Sequence, residues 1–270
     1  MAVKWTVGIT TAPREKGYYL DQTIDSLRSA GWDHIVVFAE PGSRIPDDFR
    51  GDVVVRRKQY GDWTNWGVGL YELFLSEPDT DYFFMLEDDA LVSKCKDYLE
   101  ITIPQLGEFA SLSLYTPSIY HKEGFRGFHN ELRGFSTWST VTVIMTHDKV
   151  LDFFANQDVQ KHRSHDIFKV FERKLNDKST SYGAGYNSIL DMPGNTLKDA
   201  LIAKWAGQNK LPIYYHTPAL AEHIGFFSTL TDDVSNVDNG RMTKDFVGRD
   251  FDSSVWSNIR IRKYSEIMSF

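Results

Sequence analysis

Three consecutive acidic residues, Glu87-Asp88-Asp89, follow the apolar run Tyr82–Leu86. Adjacent carboxylates repel one another, so such a cluster is unfavourable unless water or a cation neutralises it. A hard cation with oxygen ligands, Mg²⁺ or Mn²⁺, meets that need and can also hold a diphosphate. If the strand continues through the triplet, Glu87 and Asp89 point the same way and Asp88 points oppositely. The triplet is therefore a candidate metal site, with an acidic, solvated turn as the alternative.

The residues before the triplet alternate between compact apolar runs, typical of buried strands, and apolar residues at helical spacing. This rhythm indicates βαβ units and a parallel sheet, in which functional groups gather at the carboxyl ends of the strands. We therefore expect an α/β fold whose mostly parallel, Rossmann-type sheet is flanked by helices and whose first half binds a nucleotide. The predicted elements are strands at Trp5–Thr10, His34–Ala39, Val53–Arg57 and Asp81–Leu86, a helix over 20–30 that ends at Gly31, and a helix at Trp63–Leu75 whose Gly67 and Gly69 mark a close approach.

The second half is less regular, and we expect it to form the acceptor side. The chain is predicted to be a single domain with a nucleotide-sugar-binding half at 1–95, an acceptor half at 96–230 and a surface-wrapping tail at 231–270. The segment Pro117–Trp138 is rich in glycine, aromatic residues and histidine, which suggests a loop or hairpin over a site. The other predicted elements are strands at Ser111–Tyr115, Val141–Met145 and Ile213–Tyr215, and helices at His147–Asn156, Asp166–Leu175 and Thr196–Ala206.

Composition excludes several classes of protein. The 270 residues carry a net charge of −7, so no global basic field favours nucleic acid or an anionic membrane. The single cysteine, Cys95, excludes an intrachain disulfide and a CxxC zinc site. No apolar run approaches the length of a membrane-spanning helix and the start has no secretory apolar region, so we expect a cytoplasmic protein. The P-loop, HExxH, GxSxG and GxGxxG patterns are absent, which argues against the commonest NTPases, zinc proteases, hydrolases and dinucleotide dehydrogenases.

Five segments resemble the nucleotide-sugar glycosyltransferases of the GT-A fold, of bacterial or phage type. The apolar strand with Glu87-Asp88-Asp89-Ala90 resembles their DxD motif, with an acidic pair two residues apart retained as Glu87 and Asp89. VGITTAPRE, LDQTIDSLRSAGW and VVFAEPGS resemble the first βαβ unit of that fold, and Glu222-His223-Ile224-Gly225 with Ser228 resembles its later histidine segment. The resemblance implies a GT-A-like fold and the transfer of a hexose or pentose from a nucleoside-diphosphate sugar, with UDP-sugars favoured.

The same resemblance implies roles for the loop after the first strand. Thr10, Thr11, Ala12 and Arg14 would surround the base and pyrophosphate. Arg14 suits that role because its guanidinium offers a planar fork of donors to phosphate or to the edge of uracil. A surface arginine is the alternative.

Three more residues complete the implied nucleotide site. Glu40, at the end of the second strand, would accept from ribose or base, or else it stabilises a turn. Asn65 would touch the nucleoside, or else it caps the helix that follows. Asp88 is assigned with these nucleotide-binding residues.

The resemblance also implies the metal ligands. His223 would reach the cation or the diphosphate late in the chain and join Glu87 and Asp89. Imidazole is a better ligand for Mn²⁺ than for Mg²⁺. A structural histidine is the alternative.

A glycosyl transfer that inverts the anomeric centre needs a general base for the acceptor hydroxyl. The candidates are Asp199, then Asp191, with Asp166 as a further acidic residue. Asp199 begins the predicted helix, where related enzymes commonly place this carboxylate. Thr196-Leu197-Lys198-Asp199 also reads as a capping box, in which the Asp199 carboxylate would bond back to the Thr196 amide.

We expect the acceptor to be a hydroxyl group, either of a glycan or of a hydroxymethylated pyrimidine in phage DNA. Basic clusters could receive a duplex with a flipped base. A sugar nucleotidyltransferase shares the fold and the carboxylates, but it usually needs a glycine-rich loop where this chain has Thr11-Ala12-Pro13-Arg14. A non-catalytic nucleotide-sugar-binding module is the rival from another class. The basic clusters are Arg56-Arg57-Lys58, Arg126 with Arg133, and Arg260 to Lys263.

Overall fold

The computed structural model describes residues 3–130, 140–161, 197–225 and 242–256. The strands within these ranges are β1 (Trp5–Thr11), β2 (Ile35–Ala39), β3 (Asp52–Val55), β4 (Tyr82–Glu87), β5 (Ala90–Val92), β6 (Ser111–Ser113), β7 (Gly127–Asn130), β8 (Thr142–Thr146), β9 (Ile213–Thr217) and β10 (Ala221–His223). The helices are α1 (Leu20–Ser29), α2 (Asp62–Ser76), α3 (Lys96–Thr102), α4 (His147–Ala155), α5 (Gln157–Lys161) and α6 (Leu197–Asn209).

Eight of the described strands form one sheet in the order β3-β2-β1-β4-β8-β6-β9-β7. The first four pair in parallel, as do β6 and β9, whereas β8 runs antiparallel to both of its neighbours. Strands β5 and β10 form a separate antiparallel ladder. The predicted α/β class, with a mostly parallel sheet and flanking helices, is confirmed.

Both faces of the sheet are buried, as β4 illustrates. Phe84 and Leu86 belong to the hydrophobic cluster that contains α1 and α3, whereas Phe83 and Met85 belong to the cluster that contains α2, α4 and α6. Successive side chains of a strand point to opposite faces, so an entirely apolar strand serves two cores. The apolar residues hold β4 between the two cores, and the strand ends at its first charged residue, Glu87.

Helix α1 shows how the first βαβ unit is held. Leu20, Ile24 and Leu27 lie one turn apart and are buried, because residues at this spacing share one helix face. Gly31 follows the helix with φ of 91°, a conformation that glycine adopts without a steric penalty. The predicted helix and its stop are confirmed.

Five described strands and helices have no counterpart in the sequence prediction, namely β5, β7, β10, α3 and α5. The Pro117–Trp138 segment contributes β7, which pairs with β9. The predicted helix Asp166–Leu175 lies outside the described residues. The tail also packs more deeply than a surface wrap, since Trp256 is buried in the core beside Tyr98 and Phe251. In the part of the chain that the structure describes, no helix combines the length and apolarity needed to cross a membrane.

Candidate functional site

The acidic triplet lies at the carboxyl edge of the parallel strands. Glu87 is the last residue of β4 and stands opposite Thr10 of β1. The Thr10 hydroxyl donates to the Leu86 carbonyl oxygen at 3.3 Å, and the Thr11 hydroxyl donates to Asp88 Oδ2 at 2.5 Å. The predicted nucleotide loop and the predicted metal ligands are therefore neighbours on one edge.

Arg14 spans two carboxylates of the triplet. Its Nη2 contacts Asp88 Oδ1 and donates to Asp89 Oδ2 at 2.8 Å, and the guanidinium lies 5.4 Å from the centre of the Tyr19 ring. Burial raises the pKa of Asp88, as does the neighbouring Asp89, and Arg14 opposes that rise. Arg14 thus supplies one of the cations that the triplet requires, while Ala12 lies partly exposed in the same loop.

The ladder of β5 and β10 brings His223 to the triplet. His223 stands opposite Ala90, and the Ile224 amide donates to the Asp89 carbonyl oxygen at 2.9 Å. His223 Nε2 lies 3.2 Å from Asp89 Oδ2. Burial disfavours the charged form of Asp89, but His223 and Arg14 together hold the pKa of this carboxyl well below its usual range.

Glu87, Asp89 and His223 form a compact set of possible metal ligands. One ligand atom from each lies within 4.8 Å of the others. Asp89 Oδ1 is buried and has no hydrogen-bond partner among the described residues. A buried carboxylate oxygen without a partner is costly, and a cation would supply one. Two carboxylates and an imidazole also form a donor set suited to Mn²⁺, so the residues present fit the predicted group.

Gly225 makes this geometry possible. A Cβ at this position would lie 2.0 Å from Asp89 Oδ2 and 3.1 Å from His223 Nε2. Real side chains do not approach a carboxylate so closely, so only glycine lets the chain pass here without moving Asp89.

A second cation reaches the triplet from α6. Lys198 Nζ lies 2.5 Å from Glu87 Oε1 and 2.6 Å from Asp62 Oδ1, and its side chain is fully buried. Burial raises the pKa of Glu87, and the contacting ammonium opposes that rise. Sequence reasoning missed both Lys198 and Asp62, because nothing in the local pattern around either residue indicates the other.

The ion pairs of the cluster leave a residual negative charge. Four carboxylates, those of Asp62 and the triplet, face two permanent cations, Arg14 and Lys198. With His223 neutral, the formal charge of these linked groups is −2. One divalent cation would balance it.

Glu40 and Asn65 lie at the same edge and contact protein groups. The Glu40 carboxylate accepts from the backbone amides of Tyr60 and Gly61, which are the contacts of the turn-stabilising alternative, and burial raises the pKa of Glu40. Asn65 accepts from Arg56 and donates to the Phe38 carbonyl oxygen. Helix α2 is capped by Gly61, so Asn65 does not cap it. Contact of either side chain with a nucleotide stays a prediction.

Only part of the predicted basic surface is available. Arg56 is buried, and its Nη1 donates to both oxygens of Glu72 at 2.8 Å. Arg57, Lys58 and Arg126 are exposed. The prediction of a surface cluster at Arg56-Arg57-Lys58 is therefore wrong for Arg56, because its guanidinium is buried and paired with Glu72 and Asn65. Arg133 and the cluster from Arg260 to Lys263 lie outside the described residues.

Asp199 is buried near the start of α6. Its Oδ1 accepts from the Thr140 backbone amide at 3.2 Å. Neither the base role nor the capping box predicts this partner. Thr196, Asp166 and the second base candidate, Asp191, lie outside the described residues, as does Ser228.

Comparisons with known proteins give weak likenesses. No protein-family model matches the chain, and no curated protein matches it. Two crystal structures of TarS from S. aureus, one of residues 1–349, align over 80% of this chain at 14% and 12% identity, with TM-scores of 0.45 and 0.43. A third, TarS 1–349 in complex with UDP-GlcNAc, aligns over 58% at 14% identity with a TM-score of 0.40. The chain spans 60%, 37% and 48% of these chains, respectively, and likenesses at this level do not extend to function.

Proposed function

We propose that the chain is a metal-dependent glycosyltransferase that moves a sugar from a nucleoside-diphosphate sugar to a hydroxyl acceptor. The observation that carries the proposal is the cluster of Glu87, Asp89 and His223 at the carboxyl edge of the parallel strands, with its unpartnered buried oxygen, Asp89 Oδ1. The sequence resemblance to GT-A glycosyltransferases agrees with this location. UDP-sugars are the favoured donors.

Glu87, Asp89 and His223 would hold Mn²⁺ or Mg²⁺. Such a cation, when bound, neutralises the charge that develops on the leaving diphosphate. The residual charge of −2 on the linked groups supports a divalent ion over a monovalent one.

The loop after β1 would hold the nucleotide. Arg14 donates to Asp88 and Asp89, which orients its guanidinium beside the triplet, where the diphosphate would bind. Thr11 and Asp88 keep the loop against the triplet through their hydrogen bond. Thr10 and Ala12 complete the rim on which the base and pyrophosphate would lie.

Asp199 would act as the general base. In an inverting transfer the acceptor oxygen forms a bond to the anomeric carbon while the bond from that carbon to the diphosphate oxygen breaks. The acceptor proton passes to the Asp199 carboxylate. The Thr140 amide donates to Asp199 Oδ1 and so holds the carboxylate that would take the proton.

Thermal unfolding tests donor and metal together. We expect UDP-sugars, with UDP-GlcNAc in the panel, to stabilise the wild type only when Mn²⁺ is present, by about 2.7 kcal/mol at a hundred times the dissociation constant. Asp89→Asn should lose the Mn²⁺-dependent part and remain folded. Asp79→Asn is the matched control, because Asp79 is exposed and pairs only loosely with Lys4 at 3.6 Å. Equal metal-dependent stabilisation in Asp89→Asn would contradict the assignment.

Product analysis tests the reaction and its acceptor. Release of UDP from a UDP-sugar without acceptor distinguishes an enzyme from a binding module, whereas formation of a nucleotide sugar from a sugar phosphate and UTP would identify a nucleotidyltransferase. Transfer to DNA that contains hydroxymethylated pyrimidines, compared with unmodified DNA and with glycan acceptors, tests the DNA acceptor. The exposed Arg57, Lys58 and Arg126 are the described basic residues that support it.

A further inference from the structure

Lys198 is a fully buried ammonium beneath the proposed metal site. Its side chain is 0% exposed, whereas those of its two partners, Glu87 and Asp62, are 26% and 23% exposed. The ammonium therefore lies behind the two carboxylates, and the carboxylates face the open side. A group in this position cannot touch a substrate, so any effect it has on the site must pass through Glu87.

Three separate elements meet at this ammonium. Glu87 ends β4, Asp62 belongs to the first turn of α2, and Lys198 belongs to the first turn of α6. Burying a lysine costs several kcal/mol, and good geometry with paired charges is needed to offset that cost. Two carboxylates at 2.5 and 2.6 Å provide it.

The Glu87 carboxylate takes part in two contacts. Its Oε1 accepts from Lys198, and one of its oxygens lies within 4.8 Å of the possible ligand atoms of Asp89 and His223. Hydrogen-bonded partners of metal-ligating groups fix the orientation of the ligand, and their loss typically weakens metal binding.

We propose that Lys198 is a positioning residue that orients Glu87 toward the cation, and that Asp62 holds the ammonium in place for this purpose. The inference rests on the proposed function, since it needs the cation site. Lys198 also precedes Asp199 in α6, so the same ion pairs anchor the helix turn that bears the proposed base.

An opposite role is physically possible and predicts the opposite result. A permanent positive charge in contact with a metal ligand repels the metal, so an ammonium that merely competes for Glu87 lowers metal affinity. Removing it would then tighten Mn²⁺ binding, whereas removing a positioning residue weakens it.

The experiment measures binding of Mn²⁺ alone, without donor, by titration calorimetry. Lys198→Met keeps the length of the side chain and removes its charge, and we expect affinity to fall about 10–100-fold. Glu87→Gln should weaken binding as well, and the double variant should bind no worse than Glu87→Gln, because Lys198 acts through Glu87. Lys204→Met is the matched control on the same helix. Lys204 Nζ pairs with Asp158 Oδ2 at 3.0 Å and not with a residue of the triplet, so this variant should bind Mn²⁺ with the affinity of the wild type.

Equal or tighter Mn²⁺ binding in Lys198→Met, or losses that multiply in the double variant, would overturn the inference. If the wild-type protein binds no Mn²⁺, the proposed metal site is wrong and this inference fails with it. If the wild type binds Mn²⁺ and Lys198→Met does not weaken binding, only this inference fails. Circular dichroism without metal checks folding. If Lys198→Met does not fold, Asp62→Asn tests the same contact. Asp62 holds the ammonium that orients Glu87, so its loss should leave Glu87 without a fixed orientation and Mn²⁺ binding should weaken. Unchanged affinity in that variant would also overturn the inference.

Discussion

At the scale of single residues, Gly225 and Asp89 constrain each other. A Cβ at Gly225 would lie 2.0 Å from Asp89 Oδ2, so Gly225→Ala must displace the carboxylate or the chain that carries His223. We expect this variant to lose Mn²⁺ binding. Calorimetric titration with Mn²⁺ measures the loss.

Gly207→Ala is the matched control for that substitution. Gly207 lies inside α6, and a Cβ there would meet nothing within 4 Å. Alanine in a helix interior is favoured over glycine by roughly 0.5–1 kcal/mol, so this variant should be slightly more stable and bind Mn²⁺ normally. Normal Mn²⁺ affinity in Gly225→Ala would show that the close approach is not needed for the site.

Asp199 offers a second test at the residue scale. The Asn side chain keeps an oxygen for the Thr140 amide but cannot take a proton at neutral pH, so Asp199→Asn separates structure from chemistry. We expect turnover to fall by roughly 10²–10⁴-fold, with donor binding and thermal stability little changed. Steady-state rates and donor titration measure both. Near wild-type turnover would reject the role of base, and Asp191 would become the next candidate.

At the scale of elements, α2 lies unusually close to β2. A Cβ at Gly69 would come within 2.8 Å of the Phe38 ring, whereas one at Gly67 would make only ordinary contacts. The close approach predicted for Gly69 is therefore confirmed. The one predicted for Gly67 is wrong, because a Cβ there would lie 3.5 Å from the Trp63 ring of the same helix, an ordinary contact distance.

We expect Gly69→Ala to lower the free energy of unfolding by about 1–3 kcal/mol, since an added methyl group overpacks the interface. Denaturation in urea measures the change, with Gly67→Ala as the control on the same helix. Asp62 begins α2, so a shifted helix should also weaken Mn²⁺ binding. Equal stability of the two variants would contradict the expected crowding.

At the scale of the whole molecule, His216 joins β9, α3 and the C-terminal segment. Its Nδ1 lies 2.6 Å from the Pro218 carbonyl oxygen, which can only accept, so Nδ1 carries the proton and Nε2 accepts from the Tyr98 hydroxyl at 2.9 Å. The ring stacks on Trp256 at 5.6 Å between centroids. Burial lowers the pKa of His216 to about 3.

This buried, neutral histidine makes stability depend on pH. The unfolded histidine has a pKa of about 6.5, so between that pH and about 3 the unfolded chain binds one more proton than the folded chain. The contribution is complete above pH 6.5 and decreases as pH falls, by about 1.4 kcal/mol per pH unit. Urea denaturation from pH 7 to pH 4 should show this slope, and His216→Asn should reduce it. An identical slope in the variant would refute the assignment to His216.

The sequence by itself determined the elements that local pattern encodes. Apolar runs and helical spacing located β1, α1, β2, α2 and β4 to within a few residues, because burial on two faces or on one helix face leaves a periodic trace. The same logic located the triplet at the end of β4. The shared edge of the parallel strands then followed from topology, since parallel strands end on the same side.

Only the tertiary structure decided which distant groups meet there. The ladder of β5 and β10 sets His223 against Asp89, and the packing of α6 on α2 sets Lys198 between Glu87 and Asp62. The tertiary structure also places the Glu40 carboxylate where it accepts from two backbone amides. Such pairings join residues far apart in the chain and depend on how buried charges find partners. No local periodicity records that choice. Arg14 and His223 are expected here only through the family resemblance, and nothing in the sequence indicates that Lys198 joins them.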